Sequence, residues 1–154
     1  MRIEPGQIAV VTGAASGIGL ALTRALTERG VTVVMTDIEE NTLTKAAAQI
    51  GSAVTPHTIV CDVSKPDSVA AMRRQVIDEF GHVDLLFNNA GVFLPFESIW
   101  ERTLDDWNWI FGVNFWGIVH GVREFAPLMV ERGKGHIVNT ASLAAVAEIG
   151  RAHV

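Results

Sequence analysis

A chain of 154 residues, 49% apolar with a mean hydropathy of +0.29, can bury the core of one domain and no more. Its net charge of −5, with the signs interspersed, gives a nucleic-acid partner no electrostatic support. No run of about 18 apolar residues could span a membrane, the start "MRIEPGQIAVV" predicts no secretory leader, and a single cysteine, Cys61, rules out an internal disulfide framework, so a cytoplasmic setting is expected.

Short runs rich in β-branched residues recur at 8–12, 31–36, 55–60, 83–87 and 136–140. They are nearly continuous in apolar character, as strands covered on both faces should be. Helical periods lie between them. Ile18, Ala21, Leu22, Ala25, Leu26 and Arg29 share one face, with Gly30 as the stop. Val69, Met72, Val76 and Phe80 repeat the pattern, opened by Ser64 with Asp67 three residues on and closed by Gly81. Strict alternation of strand and helix means right-handed βαβ units around a parallel sheet, a doubly wound α/β domain.

The longest helix is expected over 104–132, with Thr103 and Asp106 spaced as a capping box. Its buried stripe reads Trp107, Ile110, Asn114, Ile118, Gly121, Phe125 and Leu128. An asparagine on that face must find hydrogen-bond partners or cost roughly 1–3 kcal/mol. Taken alone it is either a satisfied structural amide or a functional one. Trp100, Trp107, Trp109 and Trp116 read as packing rather than as a cofactor box.

"VVTGAASGIGLAL" joins the first strand to the first helix. Gly13, Gly17 and Gly19 let the backbone turn sharply and admit a phosphate with no Cβ in the way. The helix that starts near Gly17 points unpaired amides and its positive dipole end at that place. The spacing is G-x-x-x-G-x-G, and the Lys-Ser/Thr of a P-loop is missing. Asp37 ends the second strand about 20 residues on, where a carboxylate can accept from ribose hydroxyls and repel a 2′-phosphate. With no Arg or Lys directly after it or within the glycine turn, the cofactor is expected to be NAD rather than NADP. The alternative for Asp37 is a helix cap before "IEENTL". No metal site is expected.

With these residues in hand, the chain resembles the short-chain dehydrogenase/reductase family from Gln7 to about Ala147. "TGAASGIG" looks like its cofactor turn, "CDVS" its adenine-contact segment and "NNAG" its central-strand motif; "VNFWG" and "IVNTAS" match its helix asparagine and its serine. The resemblance implies a Rossmann-type sheet, cut short after the fifth strand, and hydride transfer between NAD(H) and a secondary alcohol or ketone. It implies cofactor contacts from Gly13, Ser16, Gly17, Ile18 and Gly19 in the turn, from Asp37, from Asp62 to the adenine amino group beside Val63, and from Asn89, Ala90 and Gly91. Asn114 would hold a water in a proton relay, and Ser142 would bond the substrate oxygen. His57, Cys61 and His120 carry no such role and read as structural or solvated. The parent would be a homo-oligomer, a dimer or tetramer, built on the long helix.

The family's Tyr-x-x-x-Lys, expected about a dozen residues after Ser142, is absent, and the chain has no tyrosine. General acid–base help of roughly 10²–10⁴-fold goes with it. A non-catalytic dinucleotide-binding module is therefore the alternative to an oxidoreductase. A degenerate pocket that binds no NAD is a third idea. The tail reads as foreign: a widely used sequencing-library adapter, translated in one frame, gives Ile-Gly-Arg-Ala-His-Val and a stop, as at residues 149–154. The NAD-binding domain is then expected over 1–147, with 148–154 adapter-derived; a natural short paralogue is the alternative.

Overall fold

The computed structural model describes residues 2–51, 55–94 and 98–142. The proposed foreign tail and the domain boundary at 147 lie outside them. Five parallel strands, β1 Ile8–Thr12, β2 Thr32–Asp37, β3 His57–Val60, β4 Leu85–Asn88 and β5 His136–Asn139, form one sheet in the order β3-β2-β1-β4-β5. Each lies within a residue or two of the apolar run expected for it. The order reverses between β1 and β4, which opens a crevice at the carboxyl ends of those two strands.

Alternate strand residues feed two cores, because a strand sends successive side chains to opposite faces. Ala9, Val11, Val33 and Met35 meet Leu26 of helix α1 (Gly17–Thr27) and Leu43 of α2 (Glu40–Ala48). Val10, Val34 and Leu86 meet Val69, Met72 and Val76 of α3 (Pro66–Phe80) and Phe125 of α5 (Gly117–Glu131). This is the doubly wound α/β domain expected, with helices on both faces. Gly30 and Gly81 end their helices with φ of 76° and 75°, a conformation that costs glycine nothing.

Several helix details differ from the sequence reading. On α1 the buried residues are Gly19, Thr23, Leu26 and Thr27, while Ile18 is 64% exposed and Ala21 is exposed too. The threonines can face the core because their hydroxyls donate to the Gly19 and Thr23 carbonyls, at 2.9 and 3.0 Å. Apolar periodicity alone misses such a face. At α3 no Ser64–Asp67 box forms. Lys65 is the N-cap with Pro66 in the first turn, and the Ser64 hydroxyl donates instead to Asp62 Oδ1 at 2.6 Å. The Thr103–Asp106 capping box is present, and these bonds hold the Asp106 carboxyl below the usual carboxylate range.

The long helix is interrupted. Between α4 (Leu104–Phe111) and α5 lies a π-helical turn, Gly112–Trp116. Its wider winding slips the phase of the face by about one residue. Beyond it Gly121 and Phe125 are buried as expected, while Gly117 and Met129 are buried in place of Ile118 and Leu128. Asn114 falls within the π turn and is exposed rather than part of a buried stripe. Trp107 lies near Phe111, at a centroid separation of 6.0 Å. Trp100, Trp109 and Trp116 are exposed rather than packed in the core.

Candidate functional site

The turn after β1 is shaped by what surrounds its glycines. Gly13 has φ of 65°, and a Cβ on it would come 2.8 Å from Ala90 Cα, so the ends of β1 and β4 are in backbone contact. A Cβ on Gly19 would lie 2.1 Å from the Gly13 carbonyl oxygen and 2.8 Å from Asn89 Nδ2. The first turn of α1 is thereby pressed beneath the glycine loop. Gly17, at φ of 51°, faces open space. Ser16 is the extended N-cap of α1 and makes no side-chain cap bond, and the first turn carries no acidic residue. Its amide dipoles face the crevice with no protein carboxylate of that turn before them.

Asp37 binds the same loop. Its Oδ2 accepts from the Ala15 amide at 3.1 Å and its Oδ1 from the Glu39 amide at 3.2 Å. The N-cap of α2 is Glu39, so the cap alternative for Asp37 gives way to a tie between β2 and the glycine turn. Asp62, past β3, accepts from the Ser64 amide and hydroxyl at 2.9 and 2.6 Å. Burial, with the Asp62 charge adding to it, pushes the Cys61 thiol up against the opposing Ser68 bond, so this wall holds no thiolate nucleophile.

Asn89 joins three strands. Its amide donates to Thr12 Oγ1 at 2.9 Å, its Nδ2 donates to the Thr12 carbonyl at 3.0 Å, and its Oδ1 accepts from Thr140 Oγ1 at 3.2 Å. Thr12 Oγ1 also accepts from the Ala90 amide at 3.0 Å. One layer on, the buried Asn88 donates to Asn139 Oδ1 at 2.9 Å and leaves no room for a Cβ on Gly121. Sequence reasoning did not single out Thr12, Asn88, Asn139 or Thr140. The signal was there: each is polar and stands at or just past the carboxyl end of an apolar strand.

These elements enclose a cavity of about 880 Å³. Gly13, Ser16, Gly17, Ile18, Asp37, Asp62, Val63, Asn89, Ala90 and Gly91 all line it, whereas Gly19 lies under the turn. Trp109, read as packing, also lines it. Asn114 is set at its edge: its Oδ1 accepts from the Val92 amide at 2.8 Å and its Nδ2 donates to the Val92 carbonyl at 2.9 Å. Ser142 is exposed three residues past β5 and ends the described residues. Among the described residues no group of three or more His, Cys, Asp or Glu side chains is placed to hold a metal.

A nucleotide-sized crevice at the strand reversal, floored by a glycine turn and a helix start, is the site of a dinucleotide-binding α/β protein. The short chain dehydrogenase family profile matches residues 7–153, and the chain belongs to that family of oxidoreductases. It is 41% identical over 142 residues to the 1-deoxy-11-beta-hydroxypentalenate dehydrogenase of Streptomyces arenae, covering 89% of this chain and 50% of that protein. A short chain dehydrogenase/reductase from Burkholderia phymatum, solved in complex with NAD, superposes with a TM-score of 0.91 at 39% identity, covering 96% of this chain and 53% of the other. A metagenomic short-chain oxidoreductase in complex with NADP superposes at 0.90 with 34% identity, covering 96% and 67%. The chain spans about half the length of the curated relatives it matches. No helix among the described residues is long and apolar enough to cross a membrane.

Proposed function

We propose that this chain is the cofactor-binding part of an NAD-dependent oxidoreductase that interconverts a secondary alcohol and a ketone. The observation that carries the NAD reading is Asp37, a carboxylate on the cavity wall, tied at 3.1 Å to the glycine turn. The residues fit the group: side chains on Gly13 or Gly19 would strike backbone, and the first turn of α1 offers amides without a competing carboxylate. A bound nicotinamide cofactor supplies the hydride acceptor or donor. Gly13, Ser16, Gly17 and Ile18 would hold the diphosphate, Asp37 a ribose, Asp62 and Val63 the adenine, and Asn89, Ala90 and Gly91 the remaining wall.

Asn114 would steady a relay water while it clamps Val92, and Ser142 would donate to or accept from the substrate oxygen. The 154 residues contain no Tyr-x-x-x-Lys to exchange a proton with that oxygen, so this chain on its own is expected to show no useful turnover. The whole protein would act in the cytoplasm as a homo-oligomer docked through α4 and α5. The alternative reading is a module that binds NAD without turning it over. Amplifying from source DNA across the Ser142 codon separates the two. An open frame encoding Tyr-x-x-x-Lys supports the enzyme and an adapter-derived tail at 148–154; a genomic stop after Val154 supports the module.

Cofactor choice is tested by titrating NADH and NADPH and following energy transfer from tryptophan, since Trp109 lines the cavity. The unmodified chain should favour NADH by at least about tenfold, as the loss of a charge-assisted bond is worth roughly 1.5–3 kcal/mol. Asp37→Ser should weaken NADH and bring the two ligands close together. Equal affinities in the unmodified chain would overturn the NAD assignment.

A further inference from the structure

The turn from Asp62 to Lys65 is shaped from within and positioned from without. Inside it, the Ser64 amide and hydroxyl donate to Asp62 Oδ1, and the Lys65 amide donates to the Asp62 carbonyl at 3.1 Å. The Asp62 amide donates to Ser68 Oγ at 3.0 Å, which ties the turn to α3. These bonds give the turn its form; toward the long helix Ser64 stands against Gly112, where an added Cβ would fall 3.4 Å from Ser64 Cβ, and a second connection completes the placement.

Val63 makes that second connection. Its buried side chain sits on Gly117, where an added Cβ would fall 2.9 Å from Val63 Cγ2. Its carbonyl oxygen lies 2.9 Å from His120 Nδ1. A carbonyl can only accept, so Nδ1 carries the hydrogen and the imidazole donates. Gly117 and His120 are three residues apart and share one face of α5, forming a notch and a donor side by side. The Trp116 ring lies 26° from parallel to the imidazole, with centroids 6.1 Å apart. The bond satisfies a half-buried ring nitrogen, and the acceptor it takes is the main-chain oxygen of a residue that lines the cavity.

We infer that His120 is a positioning residue for the adenine end of the dinucleotide: through the Val63 carbonyl it sets where the Asp62 carboxylate stands in the cavity. This rests on the dinucleotide reading above. The reach of the effect is specific. Moving the turn shifts Asp62 and Val63, whereas the glycine turn and Asn89 are held by separate bonds to Asp37 and Thr12.

The test compares NADH with its deamino analogue, in which hypoxanthine replaces adenine and the exocyclic amino group is lost. Dissociation constants are read by energy transfer from tryptophan for the unmodified chain, His120→Ala and His120→Asn, with unliganded melting curves alongside. The unmodified chain should prefer NADH several-fold. His120→Ala should weaken NADH by about three- to tenfold, the worth of one hydrogen bond, and bring the ratio of the two ligands near one. His120→Asn, whose Nδ2 donates from nearly the place of Nδ1, should restore the preference. Should His120→Ala fail to fold, His120→Leu fills the space without a donor and takes its place. An unchanged ratio, or equal weakening of both ligands, overturns the inference, as does an unmodified chain that binds both alike. A chain that binds neither ligand overturns the dinucleotide reading itself and this inference with it.

Discussion

Replacing Asp84 with alanine is expected to lower the stability of this domain by about 3 kcal/mol. Asp84 is 3% exposed and stands just before β4, where it stitches the starts of three strands. Its Oδ2 accepts from the Ile8 amide at 2.9 Å, its own amide donates to the Ile8 carbonyl at 2.9 Å, and its carbonyl accepts from the His136 amide at 2.8 Å. Arg132, just past α5, donates to Oδ1 at 3.1 Å. Removing the carboxylate leaves a buried amide unpaired and leaves the Arg132 guanidinium only its bond to the Val83 carbonyl, with no countercharge, and leaving an ion uncompensated costs about 3–5 kcal/mol. The lower end applies because Arg132 is one-third exposed and can be rehydrated. Lys134, 3.7 Å away and largely exposed, contributes little. A thermal melt should show a drop of about 6–12 °C. A loss under about 1 kcal/mol would show that the network is not holding the strand starts.

Asp84 also sets an acid limit. Burial by itself would raise its carboxyl, but the Ile8 amide, the Arg132 guanidinium and the His82 ring outweigh burial and hold it below the usual carboxylate value. A carboxyl lowered in the fold contributes fully above its unfolded value of about 3.9 and loses that contribution as pH falls through the folded one. Stability of the unmodified chain should therefore fall more steeply below about pH 4 than that of Asp84→Asn. Parallel acid limbs for the two proteins would contradict this.

Gly19→Ala is expected to abolish dinucleotide binding, weakening NADH at least about a hundredfold. Its added methyl would stand 2.1 Å from the Gly13 carbonyl oxygen. That neighbour is backbone, so no side chain can swing away. Overpacking against movable groups already costs about 1–3 kcal/mol, and here the turn must lift off α1 to relieve it. About 2.8 kcal/mol corresponds to a hundredfold in affinity. The NADH titration reads the result, and far-ultraviolet circular dichroism checks that the helices remain. NADH affinity within threefold of the unmodified chain would mean that the turn is not the phosphate cradle.

What could be read along the chain was what near neighbours enforce. The five strands are legible because each is a short run rich in β-branched residues; β1, β2 and β4 are covered on both faces, whereas the edge strands β3 and β5 stay partly exposed. Gly30 and Gly81 show as helix stops because only φ above zero ends a helix that way at no cost. The Thr103–Asp106 box, the glycine turn after β1 and Asp37 at the end of β2 lie on one stretch each, and their spacing carries the meaning. The face of α1 was misread because Thr23 and Thr27 satisfy their own hydroxyls and enter the core with no apolar mark.

Other features exist only once the sheet is assembled. Thr12 meets Asn89 across 77 residues, Asp84 meets Ile8 across 76, and His120 meets Val63 across 57. No local pattern ties such pairs, because the strand order alone places β4 beside β1 and α5 against the turn after β3. The π turn belongs with them: one wider winding moves Asn114 from the supposed buried stripe to the Val92 backbone at the cavity edge. Strand, turn and stop are thus set by the chemistry of adjacent residues. The phase of the long helix and the partners of its polar groups are set by packing, since each donor bonds whichever acceptor the assembled fold brings within reach.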